Sequence, residues 1–493
     1  MELKKRYYKK YFSILVNFLN KIDFTFLYYI PGLFLRDFRN NHDKSKKISV
    51  NFFRGIFDKD IIIKKNELLK SSSICFISHY VGAINNKDLD HDFYFGNLFK
   101  ILNKKNFKFS IILINHTDEK ITDIYKKFNK SNLNRIILND NLNIIRDFKI
   151  LFYILFKFVE FKLIKSRKYY IFKKSKHFKV NLNLKAFLSA SNTIKLTDNI
   201  KSILGNMSDL KNLFATYEGH PFERIIFNYC KKNQIKSFGY FFSVIREFQN
   251  SIYFNINKNF SPDVIFTSGN LISKNLKKYV KYKNDKIITL GSPRKLKKKN
   301  SKFYKSKNIK KLKVLVCPEG LYSETKLMLN LVREISLKKN NKIEYIFRTH
   351  PVIDKSVLKN EIYTNPNIKF SKNKDILKDF ANCNVVLYSG SSVCIQAVLN
   401  GLLPIYYHKK NSIFSIDPLF EINRFVIKNR LDLEKILNNL ILNKENTRVK
   451  IRLKKIQKYC LEYFSKINLN SLIQNLKNEN KFKLSLKENN YKS

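Results

Sequence analysis

No tryptophan occurs in this 493-residue chain, and acidic side chains are scarce: 39 Asp and Glu stand against 95 Lys and Arg, a formal charge of +56. A balance of that sign favours nucleic acid, anionic lipid or phosphorylated ligands as partners. Most of the excess is lysine, accompanied by abundant Asn, Ile, Phe and Tyr, the composition that an AT-biased genome imposes on tolerant surface positions. The same charge would hold the protein to an acidic membrane surface. Paired cysteines are also missing. Cys75, Cys230, Cys317, Cys383, Cys394 and Cys460 are scattered, with no C-x-x-C and no His at zinc-finger spacing, which suits a reducing cytoplasm. Long apolar runs are absent too. The greasiest window, Ile150 to Phe156, ends at Lys157, well short of the roughly 20 residues that span a bilayer, and reads as a core or interfacial helix. The basic stretch Met1 to Lys10 leads into an apolar segment broken by Asn17, Asn20, Lys21 and Asp23 with no small-residue cleavage site, so no secretory signal is expected. Gly82 follows a strand without completing G-x-G-x-x-G, and no G-x-x-x-x-G-K-[ST] occurs. A dinucleotide fingerprint and a P-loop are thereby excluded.

What is present is enough apolar residue, 44%, for a sizeable core, and a length that calls for two domains. Short apolar runs alternate with helical patterns. Ser73–Ser78, Phe109–Ile114, Asn134–Leu138, Leu213–Tyr217, Ser237–Phe241, Val264–Ser268 and Ile287–Gly291 read as strands, giving a βαβ rhythm interrupted by a helical insertion at about 144–200. The Lys- and Ser-rich run 295–312 reads as a basic linker. A second α/β series follows, with strands at Val314–Cys317, Glu344–Phe347, Ile368–Phe370, Val385–Tyr388 and Leu403–Tyr407. The expected class is therefore α/β, two Rossmann-like domains facing across a cleft with helical N- and C-terminal extensions. The boundaries are 1–60 for a helical extension, 61–294 for an N-terminal domain, 313–431 for a C-terminal domain and 432–493 for C-terminal helices and a tail.

The most informative polar residues fall where these strands end. Arg348, His350 and Pro351 follow one strand, and Ser389-Gly390-Ser391-Ser392 follows another and opens the helix Val393–Asn400. Ligands of α/β proteins bind at such strand ends, and a helix start lined by hydroxyls offers a seat for phosphate. Glu319-Gly320 follows the first strand of the second series, and Tyr217-Glu218-Gly219-His220-Pro221 lies between a strand and a helix of the first.

Paired Rossmann halves, with R-x-H-P and then S-x-S-S-x-x-x-x-A-x-x-x-G in the second, resemble the GT-B glycosyltransferases over roughly residues 70–430. Within them the pattern is most similar to the bacterial surface-carbohydrate group, which includes sialyl- and Kdo-transferases and the related CDP-glycerol transferases. The resemblance implies donor-nucleotide contacts at His350-Pro351 and Ser391-Ser392. It implies a general base near Glu218, although Tyr217 stands where those families carry the first of two acidic residues.

Glycosyl transfer needs a base for the acceptor hydroxyl and positive groups for the departing phosphate. Glu218 or His220 would be the base, with burial raising the Glu218 pKa toward the working range. A protonated His350 and the Ser391-Ser392 turn would receive the phosphate, with Arg348, Glu319 and Gly320 as further donor contacts. No metal or cofactor is expected. The rival reading for each residue is structural: His350 as a turn residue, Ser391 and Ser392 as N-caps, Glu218 as cap of the helix at Phe222, His220 as loop support, and Arg348 as partner of a structural carboxylate. Gly291-Ser292-Pro293-Arg294 reads as the end of a strand at the domain junction. Asp88-Leu89-Asp90-His91-Asp92 contains D-x-D, a weak metal signal outside the GT-A fold.

The expected partners are a nucleotide-sugar donor, with CMP favoured, a glycan or glycolipid acceptor in surface polysaccharide or lipopolysaccharide assembly, and peripheral contact with the anionic cytoplasmic face of the inner membrane. Two rivals stand beside this reading: transfer of a polyol phosphate from a CDP-linked donor, and a non-catalytic basic protein bound to membrane or nucleic acid. Specific nucleic-acid binding is not expected, because no recognised module is present.

Overall fold

The computed structural model describes residues 61–63, 66–82, 88–117, 119–138, 144–168, 188, 190–246, 252, 258–279, 286–294, 311–336, 342–350, 353, 367–373, 375–409, 416–442 and 446–477. The expected N-terminal extension, nearly all of the linker and Pro351 lie outside them.

The first half contains β1 (Ile61–Ile63), α1 (Asn66–Lys70), β2 (Ile74–Tyr80), α2 (Leu98–Lys104), β3 (Phe109–Asn115), α3 (Ile121–Lys127), β4 (Arg135–Leu138), α4 (Ile144–Lys168) and α5 (Ser191–Gly205). It continues with β5 (Asn212–Thr216), α6 (Pro221–Lys232), β6 (Lys236–Phe241), β7 (Val264–Thr267), α7 (Asn270–Tyr279) and β8 (Ile287–Thr289). Its sheet has the order β1-β4-β3-β2-β5-β6-β7-β8, parallel except for β1, which runs antiparallel to β4. The second half contains β9 (Leu312–Cys317), α8 (Tyr322–Ser336), β10 (Ile343–Phe347), β11 (Ile368–Phe370), α9 (Ile376–Asn382), β12 (Val385–Tyr388), α10 (Val393–Leu399), β13 (Leu403–Tyr407) and β14 (Phe425–Ile427). Its sheet is wholly parallel, in the order β11-β10-β9-β12-β13-β14. This is the two-Rossmann-domain, GT-B-like arrangement expected from the sequence.

Strands covered by helices on both faces must be apolar on both, and here they are. All seven residues of β3 and all four of β12 are buried. On one face of the first sheet an aromatic row crosses four strands, running Phe76, Phe214, Phe238 and Phe266. Phe214 and Phe238 stack with ring centroids 4.2 Å apart. Such pairs tie neighbouring strands beyond simple area burial. Leaving aside the antiparallel edge strand β1, the chain begins each sheet centrally, winds outward on one side and then on the other. The turning points lie between β2 and β5 and between β9 and β12.

The C-terminal part is helical, as expected, and packs onto both domains. α11 (Arg430–Ile441) and α12 (Asn446–Leu461) belong to the second domain, burying Leu433, Leu437, Leu453 and Ile456. From Glu462 the chain returns to the first. Glu462 O accepts from Leu271 N at 3.0 Å, Ser465 N donates to Ser268 O at 2.9 Å, and Asn468 N donates to Leu290 O at 2.7 Å. α13 (Leu469–Lys477) then places Leu472 and Leu476 in the aromatic core. Two glycines admit this strap: a Cβ on Gly269 would lie 2.2 Å from Tyr463 O, and one on Gly291, at φ +99°, 2.4 Å from Lys466 O.

Candidate functional site

The carboxyl edge of the first sheet gathers three histidines. His79 stands near the end of β2 and His116 just past β3, with Nδ1 of His79 2.7 Å from Nε2 of His116. The other His79 nitrogen lies 2.7 Å from the Thr216 hydroxyl at the end of β5. His79 thus spans the turning point of the sheet, where open α/β folds take ligands. Burial first, then the charges of His116 and His220, holds the His79 pKa well below the ordinary imidazole value; burial and His220 lower that of His116. Both rings are therefore neutral near pH 7 and exchange a hydrogen bond rather than repel. Sequence reading missed this pair. The one available signal was position, since His79 and His116 lie one and two residues beyond the expected strands Ser73–Ser78 and Phe109–Ile114.

The Glu218 loop is built by a different glutamate. Glu223, in the first turn of α6, accepts from the backbone N–H groups of Glu218 (3.0 Å), Gly219 (2.7 Å) and His220 (2.8 Å). Gly219 takes the left-handed φ of +81° that closes the turn, and the Arg224 Nε–H braces it by donating to Gly219 O. Glu218 is consequently not the helix cap that its position allowed: Glu223 does that work, and the Glu218 carboxylate accepts instead from His220 Nε2 at 3.2 Å. Burial pushes the Glu218 carboxyl upward, but its bond to His220 and the charges of His220, Arg246 and Arg294 outweigh this, leaving its pKa below the ordinary carboxylate value. The expected upward shift is thus reversed, because His220 first, and then the two guanidinium groups, favour the charged carboxylate more than desolvation disfavours it. Arg294, read from sequence as part of a strand end, contributes to that field and packs its guanidinium 5.4 Å from the Phe93 ring centroid.

The second sheet presents Glu319-Gly320 after β9, Arg348 and His350 after β10, and Ser389-Gly390-Ser391-Ser392 after β12. Arg246, from the loop after β6 of the first domain, crosses to them. One Nη donates to Glu319 Oε1 at 3.1 Å and the other to Gly390 O at 2.8 Å. Gly390 is at φ +75°, and a Cβ there would meet Ile416 Cδ1 at 2.6 Å and Glu319 Oε2 at 3.2 Å. The Ser391 hydroxyl accepts from Val393 N at 3.3 Å, whereas Ser392, the residue before the helix, makes no side-chain cap. His350 is half-buried, and desolvation, only partly offset by Glu319, lowers its pKa. It is a neutral hydrogen-bonding group near pH 7, not the cation expected.

Arg348 has the structural role. It donates to Asp379, which is 1% exposed, and to Ser371 Oγ and Asn373 O, clamping the segment after β11. These contacts all use one Nη of the guanidinium and match the structural role that the sequence also allowed. The D-x-D carboxylates are structural as well. Asp92 accepts from Ser78 Oγ, Tyr94 N and Phe95 N, while Asp90 accepts from Ser131 Oγ. Among the described residues no cluster of three or more His, Cys, Asp or Glu is arranged to hold a metal ion.

No family model matches the chain, and no curated protein matches it. Solved structures do align with it. The UDP-GlcNAc 2-epimerase of Methanocaldococcus jannaschii in complex with UDP-GlcNAc and UDP is 14% identical, with a TM-score of 0.45 over 78% of this chain and 99% of that one. A glycosyltransferase from Rickettsia africae is 12% identical, with a TM-score of 0.42 over 82% and 98%. The wall teichoic acid polymerase TagF is 10% identical, with a TM-score of 0.37 over 86% and 92%. Likeness of this degree assigns no activity and no residue role.

Proposed function

We propose that this protein is a glycosyltransferase moving a sugar from a nucleotide-activated donor, CMP-linked sugars favoured, to a surface polysaccharide or lipopolysaccharide acceptor at the cytoplasmic face of the inner membrane. The observation that carries the reading is the Arg246 bridge. It joins the carboxyl edges of the two sheets in one crevice, and its charge acts on Glu218 while its guanidinium holds Glu319 and Gly390.

In this reading the donor occupies the second domain. Its phosphate lies at the Gly390–Ser392 turn beside His350, which donates from a neutral ring, and Arg246 supplies the positive charge. Glu319, an acceptor only, suits hydroxyl groups of the donor rather than phosphate. The Glu218 carboxylate takes the proton from the acceptor hydroxyl, whose oxygen bonds to the anomeric carbon while the bond from that carbon to phosphate oxygen breaks. The nucleotide leaves with that electron pair. His220 fixes the Glu218 carboxylate, and the neutral His79–His116 pair lines the acceptor side.

A thermal-shift series with CMP, CDP, UDP and GDP identifies the donor base, because a ligand of the native form raises the melting temperature. A donor labelled in its phosphate next to the transferred group then tests the chemistry. Label remaining on the nucleotide is the expected result; label passing to the acceptor means phosphoryl transfer and overturns the proposal. Full turnover by His350→Ala would do the same for the donor site.

A further inference from the structure

Away from the crevice, α4 presents an apolar face to solvent. Ile150, Ile154 and Phe161 turn inward and are buried. On the other side Phe148, Phe152, Phe156, Val159 and Leu163 recur at every third or fourth residue, with Phe152 and Phe156 68% and 67% exposed. That spacing is one continuous stripe along a helix. Monomeric proteins rarely leave aligned aromatic side chains in water without a use for them.

We propose that this face of α4 is a membrane-docking surface that lies in the headgroup region of a bilayer containing anionic lipids. Charge selects this occupant over a second copy of the chain. Exposed Lys149 and Lys162 flank the stripe, and the acid in the segment 148–163, Glu160, is already engaged by Lys157 at 2.8 Å. Lys165, Arg167 and Lys168 continue the basic run at the end of the helix. Two such helices face to face would oppose lysine to lysine, whereas phosphate headgroups satisfy them. Length and polarity agree with a helix lying flat. α4 has 25 residues, about 38 Å at 1.5 Å per residue, and no described helix is apolar enough to cross a membrane. Aromatic rings at the acyl boundary with lysines reaching out to the headgroups are the arrangement of an interfacial helix. This specifies the membrane contact proposed above, and it is read without any transfer reaction, so the two readings fail separately.

The absence of tryptophan from the chain supplies the test. Phe152→Trp and Phe156→Trp each place the chain's single tryptophan on the stripe, where red-edge excitation selects it over the tyrosines, and Leu431→Trp, at a position 63% exposed on α11, serves as the reference. The full-length variants are mixed with vesicles of phosphatidylcholine alone or with 30 mol% phosphatidylglycerol (~30%, a composition chosen to give a strongly anionic surface). The expected result is a blue shift and quenching by brominated acyl chains for the two α4 reporters with the anionic vesicles, and neither for the α11 reporter. Phe152→Ser/Phe156→Ser should weaken cosedimentation with those vesicles by about tenfold or more, while far-UV circular dichroism stays unchanged. Cosedimentation with silent α4 reporters overturns the assignment. So does emission already blue-shifted without lipid, whether independent of concentration, meaning cover by the chain itself, or growing with it, meaning self-association.

Discussion

Arg246 and Glu319 come from different domains and meet at 3.1 Å, each side chain only 17% exposed. The same guanidinium holds Gly390 O, so one residue of the first domain touches two of the three strand ends that form the second domain's site. Arg246→Ala leaves Glu319 without its cation. The expected cost is about 1–3 kcal/mol of stability, with a rise in donor KM of at least about tenfold, one decade being ~1.4 kcal/mol of binding. Thermal unfolding and steady-state kinetics check the two effects. Arg246→Lys should recover stability better than KM, because a lysine cannot make both contacts in the fixed fork of a guanidinium.

Gly390 is the most restrictive backbone position of the turn proposed to hold the donor. Gly390→Ala combines a left-handed φ with a contact at 2.6 Å, so nucleotide-induced stabilisation should vanish and unfolding free energy should fall by about 1–3 kcal/mol. Denaturant melts with and without the nucleotide separate the two losses. An unchanged nucleotide response would move the donor away from this turn.

Glu223 tests whether the base is held in place by its neighbour. Glu223→Ala removes the acceptor of three backbone N–H groups in the loop of Glu218 and His220. A loss of about 2–4 kcal/mol is expected from leaving buried donors unmet, with kcat falling further than stability accounts for. Glu223→Gln keeps one acceptor oxygen and should lie between the two.

The pH profile distinguishes the candidate bases. Glu218 has a lowered pKa in the folded protein. Its contribution to stability is therefore present above the ordinary carboxylate range and is lost as pH falls through the depressed folded value. With Glu218 as base, the acidic limb of kcat/KM lies below pH ~4.5, the ordinary glutamate range. An imidazole base would put that limb near neutrality instead. Glu218→Gln should lower kcat by about 10² to 10⁴, the usual worth of a general base.

His116→Ala leaves His79 bonded only to Thr216 on that edge of the pair. A fall in turnover of about 10- to 100-fold is expected if the pair orients the acceptor, each decade being ~1.4 kcal/mol, with nucleotide thermal shifts unaltered because the proposed donor site is in the other domain. A changed nucleotide response would instead place the pair in the donor site.

The parallel strands were legible because burial on both faces makes them continuous apolar runs, as in Phe109–Asn115. Elements at the margins were not. β1 and β14 have three residues each, and the apolar Leu271, Ile272 and Leu276 of α7 are diluted by lysines. At the site, Glu218, His220, Glu319, His350 and the Ser391-Ser392 turn could be nominated because each follows a strand. Their surroundings could not, since these are set by distant partners: His79 meets His116 across 37 residues and Thr216 across 137, and Arg246 meets Gly390 across 144. The same distance hid Asp379, the buried carboxylate that accepts from Arg348.

The chain passes from the first domain to the second after Arg294 and comes back at Glu462, where Gly269 and Gly291 press directly against the returning backbone. The first domain is thus closed by residues that the sequence supplies last, after the whole of the second: a chain cut before Glu462 would take from Leu271, Ser268 and Leu290 the backbone partners that the strap provides. A side chain enlarged at either glycine should push that strap away and lower the stability of the first domain while sparing every group proposed to handle substrate.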